Sequence, residues 1–336
     1  MVIDRRVMLA GAAATGLAGC ATPPTARAPA RWEPRASLPW VAQEIYGAVV
    51  GDRVHIAGGL VGRGSGPRGV LDRTAVYDAR ADRWTEGPRL PAPTHHPAMA
   101  AVGRRVFAFG GFREGGGGQW RAITDVLLLD RDRWTEAGRM PAPQSETVAL
   151  VHNGLIHLIT VRTPGGAANA QWNDQVDTDA HRVFDTRTGA WSTRAPAPAP
   201  RNSAAGAVID SRLYLVGGRT VGGGNMARLD RYDPRTDRWD ALAPLPRASG
   251  GLGAAALGGR LYAFGGEWFG PGRTGGVYSE TWAYDPARDA WAVAPAMRTP
   301  RHGLVGATAG GVLLAIGGAE EVSSGRTSAI VEALVT

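Results

Sequence analysis

A unit of about 50 residues repeats along most of this 336-residue chain, and the repetition limits the possible folds more than any other feature. In most units an alternating apolar run ends in two glycines and is followed by a tryptophan. The glycine pairs are Gly58-Gly59, Gly110-Gly111, Gly217-Gly218, Gly265-Gly266 and Gly317-Gly318. A sixth copy, IHLITV at 156–161, carries Thr160-Val161 in their place. The tryptophans are Trp84, Trp134, Trp191, Trp239 and Trp291.

Each unit is predicted to form four short antiparallel strands. In the fourth unit these are AAGAVID (204–210), RLYLVGG (212–218), ARLDRYD (227–233) and WDALAPLP (239–246). Alternation of apolar and polar residues is typical of strands, and clusters of Asp, Pro and Gly are typical of turns. The whole chain contains 48 Gly and 23 Pro, which favours many strands and turns over long helices.

Paired glycines, a following aromatic residue and a tryptophan in a unit of this length resemble the kelch family. The resemblance covers roughly residues 32–336 and implies an all-β fold, a β-propeller with four-stranded blades. Trp32 and Pro39 repeat the tryptophan-to-proline spacing of the other units, whereas residues 301–336 contain no tryptophan. The N-terminal strand is therefore expected to complete the C-terminal blade and to close a ring of six blades.

The N-terminus has the pattern of an export signal. Residues 1–20 contain Arg5-Arg6, a short apolar run and LAGC ending at Cys20, the only cysteine. This pattern predicts twin-arginine export and a lipoprotein-type cleavage that leaves Cys20 lipidated. Residues 21–31 are expected to be a flexible tether, and 32–336 the propeller. The expected location is periplasmic and membrane-anchored, and Ala21 after the cysteine favours the outer membrane.

The net charge of +7 comes from arginines alone, because the chain has no lysine. These arginines are scattered through turns such as DARADRW and DPRTDRW, often beside aspartates. The chain has no basic run and no nucleic-acid fingerprint, so no nucleic-acid partner is expected.

The long loops are predicted to lie together on one face of the propeller. All of them join the second strand of a unit to the third, at 60–73, 112–123, 162–180, 219–226, 267–279 and 319–327. The links between consecutive units emerge on the same face. Four tryptophans that are not blade residues fall in these connections: Trp40, Trp120, Trp172 and Trp268. They could stack on sugar rings, or they could pack their loops onto the propeller.

A second group of candidates lies in the links that lead to the first strands, which line the axis in the kelch fold. Its members are His95, His96, Glu44, Glu146, Arg201, Asn202, Arg301 and His302, and Glu267 starts a loop on the same face. Such groups could bind a sugar or move protons, with Glu44, Glu146 and His96 as acid–base candidates. The alternative is that they cap the backbone of the inner strands.

No metal site and no cofactor is expected. Asp174, Asp177 and Asp179 share a loop but lack the order of a calcium-binding loop. A copper-radical oxidase similar to galactose oxidase would need a Cys–Tyr cross-link. The only cysteine lies in the signal region, so this activity is not expected.

Two functions remain open. The first is a cell-envelope protein that binds a carbohydrate or an envelope protein through the long-loop face. The second is a sugar mutarotase or epimerase, because sialic-acid mutarotases are similar exported kelch propellers. The matching of individual catalytic residues to that family is not possible from the sequence, so whether the protein is an enzyme stays uncertain.

Overall fold

The computed structural model describes residues 1, 29–62, 64–65, 69–115, 119–323 and 325–335. Cys20, the signal region and most of the tether lie outside the described residues. Six antiparallel four-stranded sheets form the blades of a β-propeller, as predicted. No helix in the described part of the chain has the length and apolar character needed to cross a bilayer.

The strands of each blade follow in order from the axis outward. Blade 1 contains Tyr46–Val50, Arg53–Ala57, Thr74–Asp78 and Arg83–Glu86. Blade 2 contains Ala98–Val102, Arg105–Phe109, Asp125–Asp130 and Arg133–Arg139. Blade 3 contains Val148–His152, Leu155–Pro164, Gln175–Asp185 and Trp191–Thr193.

The second half of the ring repeats this order. Blade 4 contains Ala205–Ile209, Arg212–Val216, Leu229–Asp233 and Arg238–Leu242. Blade 5 contains Gly253–Leu257, Arg260–Phe264, Thr281–Asp285 and Ala290–Ala294. Blade 6 contains Val305–Ala309, Val312–Ile316, Val331–Val335 and, from the N-terminus, Arg31–Pro34.

Several long loops contain small elements of their own. Short hairpins are formed by Leu60–Val61 with Gly69–Val70, Phe112–Gly115 with Gln119–Ala122, Arg219–Thr220 with Gly224–Asn225, and Glu267–Phe269 with Gly275–Val277. Short 3-10 helices span Trp172–Asp174 and Pro271–Arg273.

The N-terminal strand closes the ring, as the Trp32 spacing predicted. Arg31–Pro34 pairs antiparallel with Val331–Val335, with Trp32 opposite Leu334. The Trp32 side chain is buried and packs edge-on against Phe264 of blade 5, with ring centroids 5.2 Å apart. Its indole N–H donates to the carbonyl of Pro295 at 2.8 Å. The first and last parts of the propeller are therefore joined by both backbone and side-chain contacts.

The repeated tryptophans connect neighbouring blades. Each indole N–H donates to a backbone carbonyl at or just after the end of the fourth strand of the preceding blade, at 2.8–3.2 Å. For example, Trp84 of blade 1 donates to Ala36, and Trp239 of blade 4 donates to Ala195. The first strands of adjacent blades contact one another around the axis, and apolar clusters fill the space between sheets. A buried indole with a satisfied N–H suits this position.

The first glycine of each pair permits close approach of the next link. Gly58 has φ 67°, and a Cβ there would lie 2.0 Å from the carbonyl oxygen of Thr94. Gly110 is similar, with the carbonyl oxygen of Gln144 at 2.2 Å from such a Cβ. Glycine is required here by both conformation and space. In blade 3 the corresponding residue is Thr160, which adopts φ 53° despite its branched side chain.

Candidate functional site

Two residue positions of the repeat meet at the axis on the long-loop face. The link before each first strand forms a β-bridge with the residue that directly follows the glycine pair or its equivalent. The six bridges are Gln43 with Leu60, His95 with Phe112, Ser145 with Arg162, Asn202 with Arg219, Gly250 with Glu267, and His302 with Ala319. Each blade therefore contributes one such pair of residues to a ring around the axis.

The residue after each bridge has a left-handed backbone. These residues are Glu44, His96, Glu146, Ser203, Gly251 and Gly303, with φ between 48° and 63°. The amides of Glu44, His96, Gly251 and Gly303 donate from blade to blade. Glu44, for example, donates to the carbonyl of Gly303 at 2.8 Å, and His96 donates to that of Glu44 at 3.1 Å. Non-glycine residues in this conformation are strained, and such strain is concentrated at functional sites.

Glu44 and His96 form an ion pair at the centre of this ring. Nε2 of His96 lies 2.9 Å from Oε2 of Glu44. Burial opposes ionisation of Glu44, but the His96 imidazole, with help from His302 and Arg219, lowers the pKa of the carboxyl to about 2. Burial also opposes protonation of His96, yet the Glu44 and Glu146 carboxylates raise the pKa of its ring. An anionic carboxylate therefore lies beside a readily protonated imidazole.

His95 lies behind this pair. Its Nδ1 is 2.7 Å from Nδ1 of His96, and burial together with His96 holds the pKa of His95 well below its ordinary value. His95 is therefore neutral and accepts the Nδ1–H of protonated His96. Its ring packs edge-on against Trp120, with centroids 4.2 Å apart, so it also supports a wall of the site.

Blades 4, 5 and 6 contribute a second charged cluster. The Arg219 guanidinium donates to the buried carboxylate of Glu267 and, at 3.2 Å, to Oδ1 of Asn202. Burial disfavours the charge on Arg219, but Glu267, Glu146 and Glu44 outweigh it and raise the pKa of the guanidinium. His302 links the two clusters, because its Nδ1 lies 3.5 Å from Glu267 and 3.8 Å from Glu44.

Blade 3 supplies a third group of charges. The side chain of Arg162 is fully buried, with its guanidinium carbon 3.7 Å from the centroid of the Trp172 ring. Its Nε lies 4.0 Å from Glu146 and 3.9 Å from Asp177. Glu146 also accepts a hydrogen bond from the Ser203 hydroxyl at 2.7 Å, and Asp177 accepts one from Asn202 at 2.7 Å. These contacts therefore link the charged side chains of blade 3 to polar side chains in the link before blade 4.

A cavity of about 700 Å³ opens above these groups. Its floor includes Glu44, His96, Arg219 and Glu267. One wall contains Leu60, Trp120, Gln171 and Trp172, and the other contains residues 220–222, Gly224, Asn225, Phe269 and Ser323. This volume lies within the range of about 300–1,000 Å³ that is typical of small-molecule sites.

The structure places some of the predicted site residues in the cavity lining and others directly behind it. Glu44, His96, Trp120, Trp172 and Glu267 line the cavity. His95, Glu146, Asn202 and His302 lie directly behind that lining, through the contacts described above.

Four further predicted ligand-binding residues neither line this cavity nor contact its lining in the ways described above, and their role in binding stays a prediction. Trp40 packs on the apolar cluster between blades 1 and 6, with Arg73 over its ring. Trp268 lies outside the cavity and is 37% exposed. Arg201 and Arg301 are buried and pair with Asp230 and Glu332 on the third strands of their own blades.

Sequence reasoning missed Arg162, Arg219 and Phe269. A signal for the two arginines was available, because they directly follow Val161 and Gly218 at the repeat position that Glu267 occupies after Gly266. Among the described residues, no group of three or more His, Cys, Asp or Glu side chains is arranged to hold a metal ion. The loop carboxylates are already engaged, since Asp174 accepts amide hydrogen bonds from Ala170 and Gln171.

Comparison with known proteins supports the repeat assignment. The Kelch motif matches residues 200–246 and 248–298. Kelch-like protein terF of Aspergillus terreus is 28% identical over 217 residues, which cover 62% of this chain and 47% of terF. Human Kelch-like protein 23 is 26% identical over 191 residues, covering 56% of this chain and 32% of that protein. This chain therefore spans about half or less of these relatives.

A solved structure described as "Structure of YjhT" has the same fold. It aligns with a TM-score of 0.74 and 18% identity over 89% of this chain and 96% of its own. The repeated glycine pairs and tryptophans predict the same architecture as the closed ring of six four-stranded sheets in the structure. The Kelch motif matches agree with this architecture. The chain is a six-bladed β-propeller that contains Kelch motifs.

Proposed function

We propose that this protein binds a carbohydrate in the cavity at the axis. The observation that carries the proposal is the pairing of an aromatic wall with a charged floor in one cavity. Trp120 and Trp172 lie together on the wall, with ring centroids 5.7 Å apart. The floor presents Glu44, Arg219 and Glu267.

Each part of the cavity suits a different part of a sugar. Indole faces stack on the C–H face of a pyranose, and carboxylate and guanidinium groups bind its hydroxyls. Both tryptophans are held before any ligand arrives, because Trp120 packs on His95 and Phe112 while Trp172 lies over Arg162. A preformed wall lowers the entropy cost of binding.

The test is calorimetric titration of the protein with a panel of neutral and carboxylated monosaccharides and disaccharides. Trp120→Ala is expected to weaken binding at least about tenfold, a loss of about 1.4 kcal/mol. Trp268→Ala is the matched control, since this tryptophan lies on the same face but outside the cavity. If no sugar binds, or if Trp268→Ala is the damaging variant, the proposal fails, and an envelope protein becomes the partner to test.

A second candidate function is a sugar mutarotase. The Glu44–His96 pair favours it, because an anionic carboxylate and a protonated imidazole on one cavity floor can accept and donate protons at an anomeric centre. NMR of a bound reducing sugar would show broadened anomer signals if the protein accelerates exchange. Loss of broadening in Glu44→Gln, with binding retained, would support catalysis; unchanged exchange would support binding alone.

We also propose that the protein is exported and anchored through a lipid on Cys20. Arg31 begins the fourth strand of blade 6, and that strand leads into the link on the cavity face. The fourth strand therefore starts on the opposite face, so an anchored propeller would direct its cavity away from the membrane. Metabolic labelling with a radioactive fatty acid should mark the protein, and Cys20→Ser should abolish both the label and membrane association.

A further inference from the structure

The mouth of the cavity differs chemically from its floor. Val221 and Phe269, in loops of blades 4 and 5, line the cavity and are 53% and 47% exposed. These are among the largest exposures of apolar side chains in the described part of the chain. Exposed apolar side chains that line a cavity mark a site that apolar surface covers on binding.

The floor, in contrast, offers hydrogen-bonding and charged groups. Glu44 and Arg219 retain partial exposure to the cavity, with 14% and 17% of their side chains accessible. The carboxylates of Glu44 and Glu267 are already paired, with His96 and Arg219 respectively. A neutral, hydroxyl-rich group therefore suits the floor without displacing the existing ion pairs, since removing one partner of a buried pair is costly.

The two regions face each other across a single space. Leu60, Trp120 and Trp172 on one side and Val221 and Phe269 on the other form apolar walls above the charged floor. The isopropyl group of Val221 and the ring of Phe269 offer no hydrogen bonds to hydroxyls. A free monosaccharide at the floor, stacked on the tryptophan wall, would leave Val221 and Phe269 uncovered.

We infer that the ligand is a glycoside, with a neutral sugar on the charged floor and an apolar aglycone between Val221, Phe269 and the tryptophan wall. This inference rests on the proposed carbohydrate function and deepens it. The aglycone is aromatic or a short alkyl chain, because the walls carry aromatic and branched aliphatic groups. Burying it removes apolar surface from water on both the ligand and the protein, which stabilises the complex.

The test compares matched pairs of glycosides by calorimetry at constant salt and pH. The probes are the methyl and phenyl β-glycosides of glucose, galactose and N-acetylglucosamine. In at least one pair the phenyl glycoside should bind about tenfold more tightly than the methyl glycoside, equivalent to about 1.4 kcal/mol. The double variant Val221→Ser/Phe269→Ser should remove this gain, so that the methyl and phenyl glycosides of that pair bind with equal affinity.

A control variant tests whether removing any exposed apolar side chain would also abolish the gain in affinity of the phenyl glycoside. Val293→Ser alters a valine that is 80% exposed on the fourth strand of blade 5, and it should leave the gain intact. Equal affinities for methyl and phenyl glycosides, or a gain that persists in the double variant, would overturn the inference while leaving carbohydrate binding in place. Absence of binding in all three pairs would overturn the inference, and the proposed carbohydrate function would also fail if the wider sugar panel did not bind.

Discussion

His96 and Glu44 meet across the boundary between blades 1 and 2, with Nε2 and Oε2 2.9 Å apart. Both residues have left-handed backbones, and the amide of His96 donates to the carbonyl of Glu44. Side chain and backbone therefore join the two blades at the same point. This contact contributes both to closure of the ring and to the floor of the cavity.

The first prediction concerns the pH dependence of this pair. The carboxyl pKa of Glu44 is lowered to about 2, so its contribution is present above pH 4.5 and is lost as pH falls toward 2. The pKa of His96 is raised, so its contribution is full below pH 6.5 and is lost as pH rises through the raised value. Glu44→Gln should therefore destabilise the protein most between pH 4.5 and 6.5, by about 3 kcal/mol.

Urea unfolding of both proteins across this pH range measures the difference in unfolding free energy. The destabilisation should be smaller in alkaline buffer, where His96 is neutral in the native protein. A difference that stays constant from acid to alkaline buffer would contradict the assigned ionisation states.

The second prediction uses two glycines at the same repeat position. Gly251 and Gly303 have φ 63° and 60°, so alanine at either position should cost about 1–2 kcal/mol. A Cβ on Gly303 would also lie 3.0 Å from the Glu44 carboxyl group, whereas at Gly251 the nearest atom is 3.4 Å away. Gly303→Ala should thus also weaken sugar binding, while Gly251→Ala should not. Urea unfolding measures the cost of backbone strain in both variants, and calorimetry measures the loss of sugar binding.

The third prediction concerns a buried histidine pair in blade 3. Nδ1 of His157 lies 2.8 Å from Nε2 of His181, against Tyr232 of blade 4. Burial lowers the pKa of His157 to about 3 and that of His181 to about 4. Because both lie below the unfolded value of 6.5, their contribution is full above pH 6.5 and is lost as pH falls toward 3.

Each histidine should remove up to roughly 1.4 kcal/mol per pH unit in that interval. His157→Gln keeps a hydrogen-bonding group but does not titrate, so its unfolding free energy should fall less steeply with acid than that of the wild type. Equal slopes in the two proteins would show that the pair does not control acid stability.

The fourth prediction tests closure by the N-terminal strand. Trp32 is buried and donates to Pro295, so Trp32→Ala should cost about 3–5 kcal/mol. Trp268→Ala should change the unfolding free energy by less than about 0.5 kcal/mol, because Trp268 is partly exposed on a loop. If the two variants unfolded at the same denaturant concentration, the closing strand would not contribute as described.

The repeat made most of the fold predictable. The repeated glycine pairs and tryptophans show where each residue lies within its unit, and therefore within its blade. Trp32, which precedes the first complete unit, indicated that the N-terminal strand completes blade 6. The same repeat positions located Glu44 and His96 near the axis and Glu267 at the start of a loop on the same face, because the link and the residue after the glycine pair recur in every blade.

The ligand-facing surface was less predictable. The partners of Arg201 and Arg301 are Asp230 and Glu332, 29 and 31 residues away, and no local spacing pairs them. Loop tryptophans are also ambiguous, since a loop hairpin exposes Trp268 and turns the adjacent Phe269 into the cavity. Side-chain direction in these loops depends on contacts between blades, and a single repeat unit does not encode them.

The most direct test of the central claim is NMR of the indole N–H signals during titration with a bound sugar. The eleven tryptophans give separate probes, and single substitutions assign them. We expect the signals of Trp120 and Trp172 to shift with one saturation curve, while those of Trp268 and the blade tryptophans remain in place. Shifts at Trp268 without shifts at Trp120 and Trp172 would contradict a binding site at the axis.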